Sequence, residues 1–204
     1  MWWAMPLLLL WQKYPMPIEQ GSTLLTIARA EISTALGRPI SADVDAPWLH
    51  HPGATFVTLT QHGSLRGCIG SLEPHRPLLQ DVKENALAAA FHDPRFAPLQ
   101  RDELMITRVE ISLLSACEAL DFKNEHDALS QLRPHIDGIV FEYRHFRSTF
   151  LPQVWEQLPA PQTFIAHLKR KAGLTADFWD DKIRLSRYTV NKWKEPESAH
   201  GAEA

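Results

Sequence analysis

Cysteine is scarce in this chain. Cys68 and Cys117 are the two among 204 residues, and they form no CxxC unit and no disulfide framework. Such usage fits a reducing cytoplasm, and a single bridge between the two is the alternative the count leaves open. An excess of positive charge is also missing, since 21 Lys and Arg stand against 24 Asp and Glu for a net charge of -3. That balance speaks against nucleic acid as a partner, because phosphate binding relies on a basic field. No apolar run reaches the roughly 20 residues that a membrane-spanning helix needs. There is no GxSxG elbow, no GxxxxGK(S/T) loop and no GxGxxG after a strand, so hydrolase, nucleotide and dinucleotide functions lose their usual anchors. The ten histidines fall into no HExxH and no Cys/His pair of pairs, and the adjacent His50 and His51 would diverge in extended chain. No dedicated metal site is expected, and no cofactor signature is evident.

With 45% apolar residues, the chain is long enough to bury one substantial core, with or without a small appended lobe. One domain is expected over residues 17–194. Residues 1–16 are apolar but lack the basic leader and small-residue cleavage site of a secretory signal. They are expected to lie outside the domain, with Met16 as an alternative start. An apolar tail folded back on the domain, or a weak membrane or partner anchor, are the other readings. Residues 195–204 are polar and small and are expected to form a disordered tail.

Between these ends the pattern alternates between helix and strand. Leu25, Ala28, Ile32 and Ala35 recur at helical spacing, with Ser22 expected as N-cap and Gly37 as stop. Proline-rich residues 38–53 read as a surface loop, and residues 55–60 and 65–72 as a hairpin turned at His62-Gly63. Pro77 opens a helix to Ala90 with Leu78, Val82, Ala86 and Ala89 on one face, ended by Asp93-Pro94. Strands are expected at 109–114, 138–143 and 148–151, the last two joined by residues 144–147, followed by a helix over 161–172 and a final strand over 182–190. Hairpins and interspersed helices without βαβ alternation predict an α+β fold, an antiparallel or mixed sheet flanked by helices.

The chemistry-bearing stretch is Leu65-Arg66-Gly67-Cys68-Ile69-Gly70. In a regular strand Arg66 and Cys68 share a face, which sets a guanidinium beside a thiol. A neighbouring cation favours the thiolate, the nucleophilic and metal-binding form. Gly67 and Gly70 are costly inside a strand, so they point to a bulge or to close approach by something else, a ligand among the options. Against this stands a plainer reading: an isolated cysteine in a strand is most often a small core hydrophobe.

Phe56-Val57-Thr58-Leu59, the run GSLRGCIG at 63–70, Glu84-Asn85-Ala86, Asp93-Pro94-Arg95-Phe96, Val109-Glu110-Ile111-Ser112 and Lys171-Ala172-Gly173-Leu174 together closely resemble the AMMECR domain family. The overall form is similar to its bacterial branch, the AmmeMemoRadiSam system protein A type. The resemblance covers roughly residues 24–190 and implies a larger and a smaller lobe with a cleft near the RGCIG strand. It also implies two partners, a Memo-type protein and a radical S-adenosylmethionine (SAM) enzyme, while implying no particular reaction.

Around the signature, Asp93 and Arg95 follow a helix end and suit an anion or a partner carboxylate; a chain turn and a structural ion pair are the plainer roles. Glu110 is a candidate to orient Arg66 or act as a base, against a merely solvated strand face. His92 is a candidate base for Cys68, against simple exposure at a helix end. Two functional classes follow. In one, Cys68 is a reactive thiol assisted by Arg66, with Gly67, Ile69, Gly70, Asp93, Arg95 and Phe96 as binding residues. In the other, the RGCIG and Asp-Pro-Arg-Phe segments form a docking surface without catalysis. A purely structural motif, with Cys68 sealed in the core, is the third possibility.

Overall fold

The computed structural model describes residues 18–196. The expectations for residues 1–16, and for most of the terminal tail, therefore lie outside the described residues. The chain divides into two compact units, one holding residues 18–114 and 191–196 and the other Ser115–Val190. Each has its own four-stranded sheet, in the order β2 (Ser64–Gly70), β1 (Thr55–Gln61), β3 (Thr107–Leu114), β8 (Val190–Lys194) in the first and β4 (Glu118–Ala119), β7 (Arg184–Tyr188), β5 (Gly138–Tyr143), β6 (Phe146–Phe150) in the second. The pairings that set β1 against β2 and β3, and β5 against β6 and β7, are antiparallel. The fold is α+β with two sheets flanked by helices.

In the first unit, helix α1 spans Ile18–Ala35. It begins before the expected cap, so Ser22 lies inside it and donates its hydroxyl back to the Glu19 carbonyl at 2.9 Å. The stop is where sequence placed it. Gly37 takes φ 72°, and the bonds from Gly37 N to Thr34 O (3.0 Å) and from Arg38 N to Ser33 O (2.8 Å) close the last turn.

Strands β1 (Thr55–Gln61) and β2 (Ser64–Gly70) form the hairpin. Its two-residue turn has positive φ at both His62 (50°) and Gly63 (80°), the mirror-image geometry that matches strand twist. Strand β3 (Thr107–Leu114) pairs with the other edge of β1. Val57, Leu59, Val109 and Ile111 are fully buried on the face covered by α1 and by helix α2 (Leu78–Phe91).

Helix α2 carries the expected apolar face and something the apolar pattern did not reveal: Asp81 and Asn85 are buried with it. Asp81 accepts from Thr55 N (2.7 Å), Thr55 Oγ1 (2.7 Å), Ser71 Oγ (2.6 Å), Arg76 Nε (2.9 Å) and Asn85 Nδ2 (3.0 Å). A buried carboxylate is tolerable only with its lone pairs filled in this way. Glu195, expected in the tail, accepts from Val109 N at 2.8 Å and pairs with Arg29.

The second unit contains β4 (Glu118–Ala119), α3 (Glu125–Ser130), β5 (Gly138–Tyr143), β6 (Phe146–Phe150), α4 (Pro161–Lys171) and β7 (Arg184–Tyr188). The link between β5 and β6 is tighter than residues 144–147, because Arg144 adopts φ 54° and lets β6 start at Phe146. The expected last strand is β7, in this sheet; a further strand that was not expected, β8 (Val190–Lys194), follows it and belongs to the sheet of the first unit. The core centres on Trp155 stacked on Phe164, 3.8 Å between ring centroids, with Trp155 Nε1 donating to Asp137 O at 2.7 Å. Lys169 is buried as well, its ammonium held by Glu125 Oε1 (2.8 Å) and Phe178 O (2.9 Å).

Candidate functional site

The signature occupies β2, an edge strand of the first sheet. Its register runs Leu59↔Gly67 and then Thr60↔Leu65, leaving Arg66 as an extra, bulged residue. The bulge breaks the alternation that would seat Arg66 beside Cys68. Arg66 instead donates through Nε and Nη2 to the two oxygens of Glu103, both at 2.9 Å. Gln61, on the buried-face side of β1, donates to the same carboxylate at 3.0 Å. The Arg66 guanidinium is thus turned inward, with 13% of its side chain exposed. Arg66, followed by the Gln100 N–H and the Gln61 amide, holds Glu103 at about 2 against the opposing effect of burial.

Gly67 and Gly70 have no room for a ligand. A Cβ on Gly67 would stand 2.1 Å from the carbonyl oxygen of Ala89 in α2, and one on Gly70 would stand 2.3 Å from the Phe56 ring. What approaches these glycines is the protein itself. Ile69, opposite Val57, is half-buried on the helix side.

Cys68 is the residue at which the edge is closed. Its N–H donates to Asp93 Oδ2 at 2.9 Å and its carbonyl accepts from Arg95 Nη2 at 3.3 Å. Asp93 also accepts from Arg95 N (3.1 Å), Nε (2.9 Å) and Nη2 (2.7 Å). Two side chains thereby take the place that a further strand would fill, one of the ways an exposed sheet edge is protected. The Arg95 guanidinium, with the Cys68 and Arg95 N–H groups behind it, holds Asp93 well below the usual carboxylate range although burial opposes this. Arg95 is correspondingly raised, first by Asp93, with Cys68 among the smaller contributions. The Asp93 side chain is 2% exposed and that of Arg95 54%. A locked carboxylate thus carries a guanidinium whose outer edge meets solvent.

Cys68 as a residue is half-buried, neither sealed in the core nor fully open. Its sulfur accepts from Thr58 Oγ1 at 3.3 Å. Thr58 is the register partner of both Cys68 and Glu110, so the three side chains form one row on the sheet face opposite Val57 and Leu59. Glu110 pairs with Lys192 at 3.3 Å; the residue that orients Arg66 is Glu103. The Phe96 ring lies 5.4 Å from the Arg95 guanidinium carbon and 6.0 Å from that of Arg66. His92 is exposed at the C-cap of α2.

The structure therefore joins Cys68, Asp93, Arg95 and Phe96 into one cluster and sends Arg66 into a neighbouring pair. Two members were missed from sequence. Thr58 was recoverable from hairpin register, since residues across a short turn must pair; Glu103, 37 positions from Arg66 along the chain, left no local trace. Among the described residues no group of three or more His, Cys, Asp or Glu is placed to hold a metal ion, and no helix is long and apolar enough to cross a membrane.

An α+β chain in which an RGCIG edge strand is closed by Asp-Pro-Arg-Phe side chains defines a recognisable class of protein. Residues 25–193 match the AMMECR1 family, and the chain belongs to it. It is 35% identical over 190 residues to a protein of Methanothermobacter thermautotrophicus, covering 89% of this chain and 97% of that one. It is 32% identical over 189 residues to a protein of Methanocaldococcus jannaschii, covering 88% and 92%. The crystal structure of an uncharacterized protein from Pyrococcus horikoshii is similar over 90% of this chain and 95% of that one, with a TM-score of 0.74 at 28% identity.

Proposed function

We propose that this chain is the A component of a cytoplasmic system with a Memo-type protein and a radical SAM enzyme, and that Cys68 is its working group. One observation carries the proposal about the site. The Asp93–Arg95 pair holds Cys68 by its own N–H and carbonyl, so that this half-buried cysteine adjoins a guanidinium side chain that is 54% exposed. Such a pair suits thiol-dependent chemistry on an anionic substrate: Arg95 receives the anion on its outer edge, Thr58 steadies the sulfur by donating to it, and Asp93 keeps both in register. The partner assignment is supported by the signature motifs and by membership of the family.

Reconstitution with the two partner proteins, followed by a comparison of small molecules formed by wild type and Cys68→Ser, tests this directly. Loss of product with Cys68→Ser and with Arg95→Gln is expected. An unchanged product from Cys68→Ser would overturn the catalytic role.

A second function, docking without catalysis, is favoured by a specific feature: Leu65, near the start of the signature strand, and Leu72, two residues past its end, are large apolar residues exposed to solvent. In that case Cys68→Ser retains partner association, while Leu65→Ser with Leu72→Ser abolishes it.

A further inference from the structure

The first unit holds a recess whose lining does not include Cys68. Its volume is about 460 Å³, within the size range of sites that take one small molecule. In its lining Arg29 and Glu195 pair, Nε to Oε1 at 2.9 Å. Arg29 also donates to Leu104 O (3.1 Å) and Thr107 O (2.7 Å), so it is neutralised and fully engaged. Two further arginines, Arg38 and Arg108, line the same recess. Among the described residues neither has a carboxylate partner. Three arginines against one glutamate leave an excess of two positive charges, on a chain whose net charge is -3.

Apart from buried Ser33, the rest of the lining is apolar. Ile40 is 50% and Met105 68% exposed, while Leu104 is buried. Large apolar side chains held in water beside unpaired guanidinium groups fit a ligand with an apolar body and an anionic head. The head is further specified by Arg108. Its Nη1 already donates to Met105 O (2.9 Å) and Thr107 O (3.2 Å), which leaves the Nε and Nη2 edge, the two-donor fork that matches a planar carboxylate.

We infer that this recess is a binding site for a small amphipathic carboxylic acid, with Arg38 and Arg108 taking the carboxylate and Ile40, Leu104 and Met105 the apolar chain. It is independent of the chemistry proposed for Cys68.

Titration of the full-length, isotope-labelled protein with decanoate, followed by amide NMR, tests the assignment. Saturable shifts at Ile40, Met105 and Arg108 are expected, with a Kd of about 1 mM or tighter. The Arg38→Gln, Arg108→Gln double variant should bind at least tenfold more weakly while its spectrum elsewhere stays that of the folded protein. Decanol should also bind at least tenfold more weakly than decanoate. Should the double variant fail to fold, Met105→Glu, which adds a like charge at an exposed position, is expected to produce the same loss. Shifts confined to other regions, equal binding by the double variant, or binding of an acidic peptide but not of decanoate would each overturn the inference.

Discussion

The two ends of α2 each present a buried aspartate, and the contrast between them separates scaffold from site. Asp81, in the first turn, is enclosed by five donors that belong to strand, loop and helix, so its charge is consumed in holding the unit together. Asp93, two residues past the last turn, has donors from only two residues, Cys68 and Arg95, and one of them keeps an exposed outer edge. The same chemical group is enclosed at one end and, at the other, carries a guanidinium that meets solvent. A buried charge alone therefore does not mark a functional site; what its partners still present to solvent does.

Substitutions can break or sharpen this contrast. Asp81→Ala should have the largest effect, a loss of about 4 kcal/mol in urea unfolding, because it strands buried donors and Arg76. In the fraction that remains folded, alkylation of Cys68 should be unaltered. Gly67→Ala should cost about 3 kcal/mol by forcing the Ala89 carbonyl and β2 apart. Asp93→Asn should cost about 2 kcal/mol, the scale of lost charge-assisted hydrogen bonds, and unlike Asp81→Ala should alter the reactivity of Cys68.

A pH effect belongs to Glu103, whose folded value of about 2 lies below its ordinary 4.5. A depressed carboxylate stabilises the fold fully above its unfolded value and progressively less as pH falls toward the folded one. Glu103→Gln should flatten the fall in stability between pH 4.5 and 2 by the slope of a single proton, read from urea unfolding at a series of pH values.

The hairpin, the α1 stop and the buried face of α2 were legible because each rests on local rules: positive φ at Gly37 and Gly63, and helical spacing of Leu78, Val82, Ala86 and Ala89. Alternation failed at Arg66: the glycines admitted a bulge, but not its position, and a one-residue bulge there reverses the direction of the side chain. The purpose of Gly67 was half legible. Close approach was expected, but the approaching group is a helix carbonyl that comes from residue 89. Asp81 was not legible, because its donors come from residues 55, 71, 76 and 85 and only the folded unit assembles them. For Asp93 and Arg95 the plain expectation of a turn and an ion pair was met, yet their grip on the Cys68 main chain depends on where the β2 edge lies.

The most direct test is site-resolved mass spectrometry of iodoacetamide alkylation under native conditions, with the exposed Cys117 as internal reference. Cys68 should be modified without unfolding, and Arg95→Gln should slow it at least fivefold relative to Cys117, about 1 kcal/mol of lost assistance. Modification of Cys68 that requires denaturant, or that proceeds at the same rate without the Arg95 guanidinium, would contradict a working thiol at the closed edge of β2.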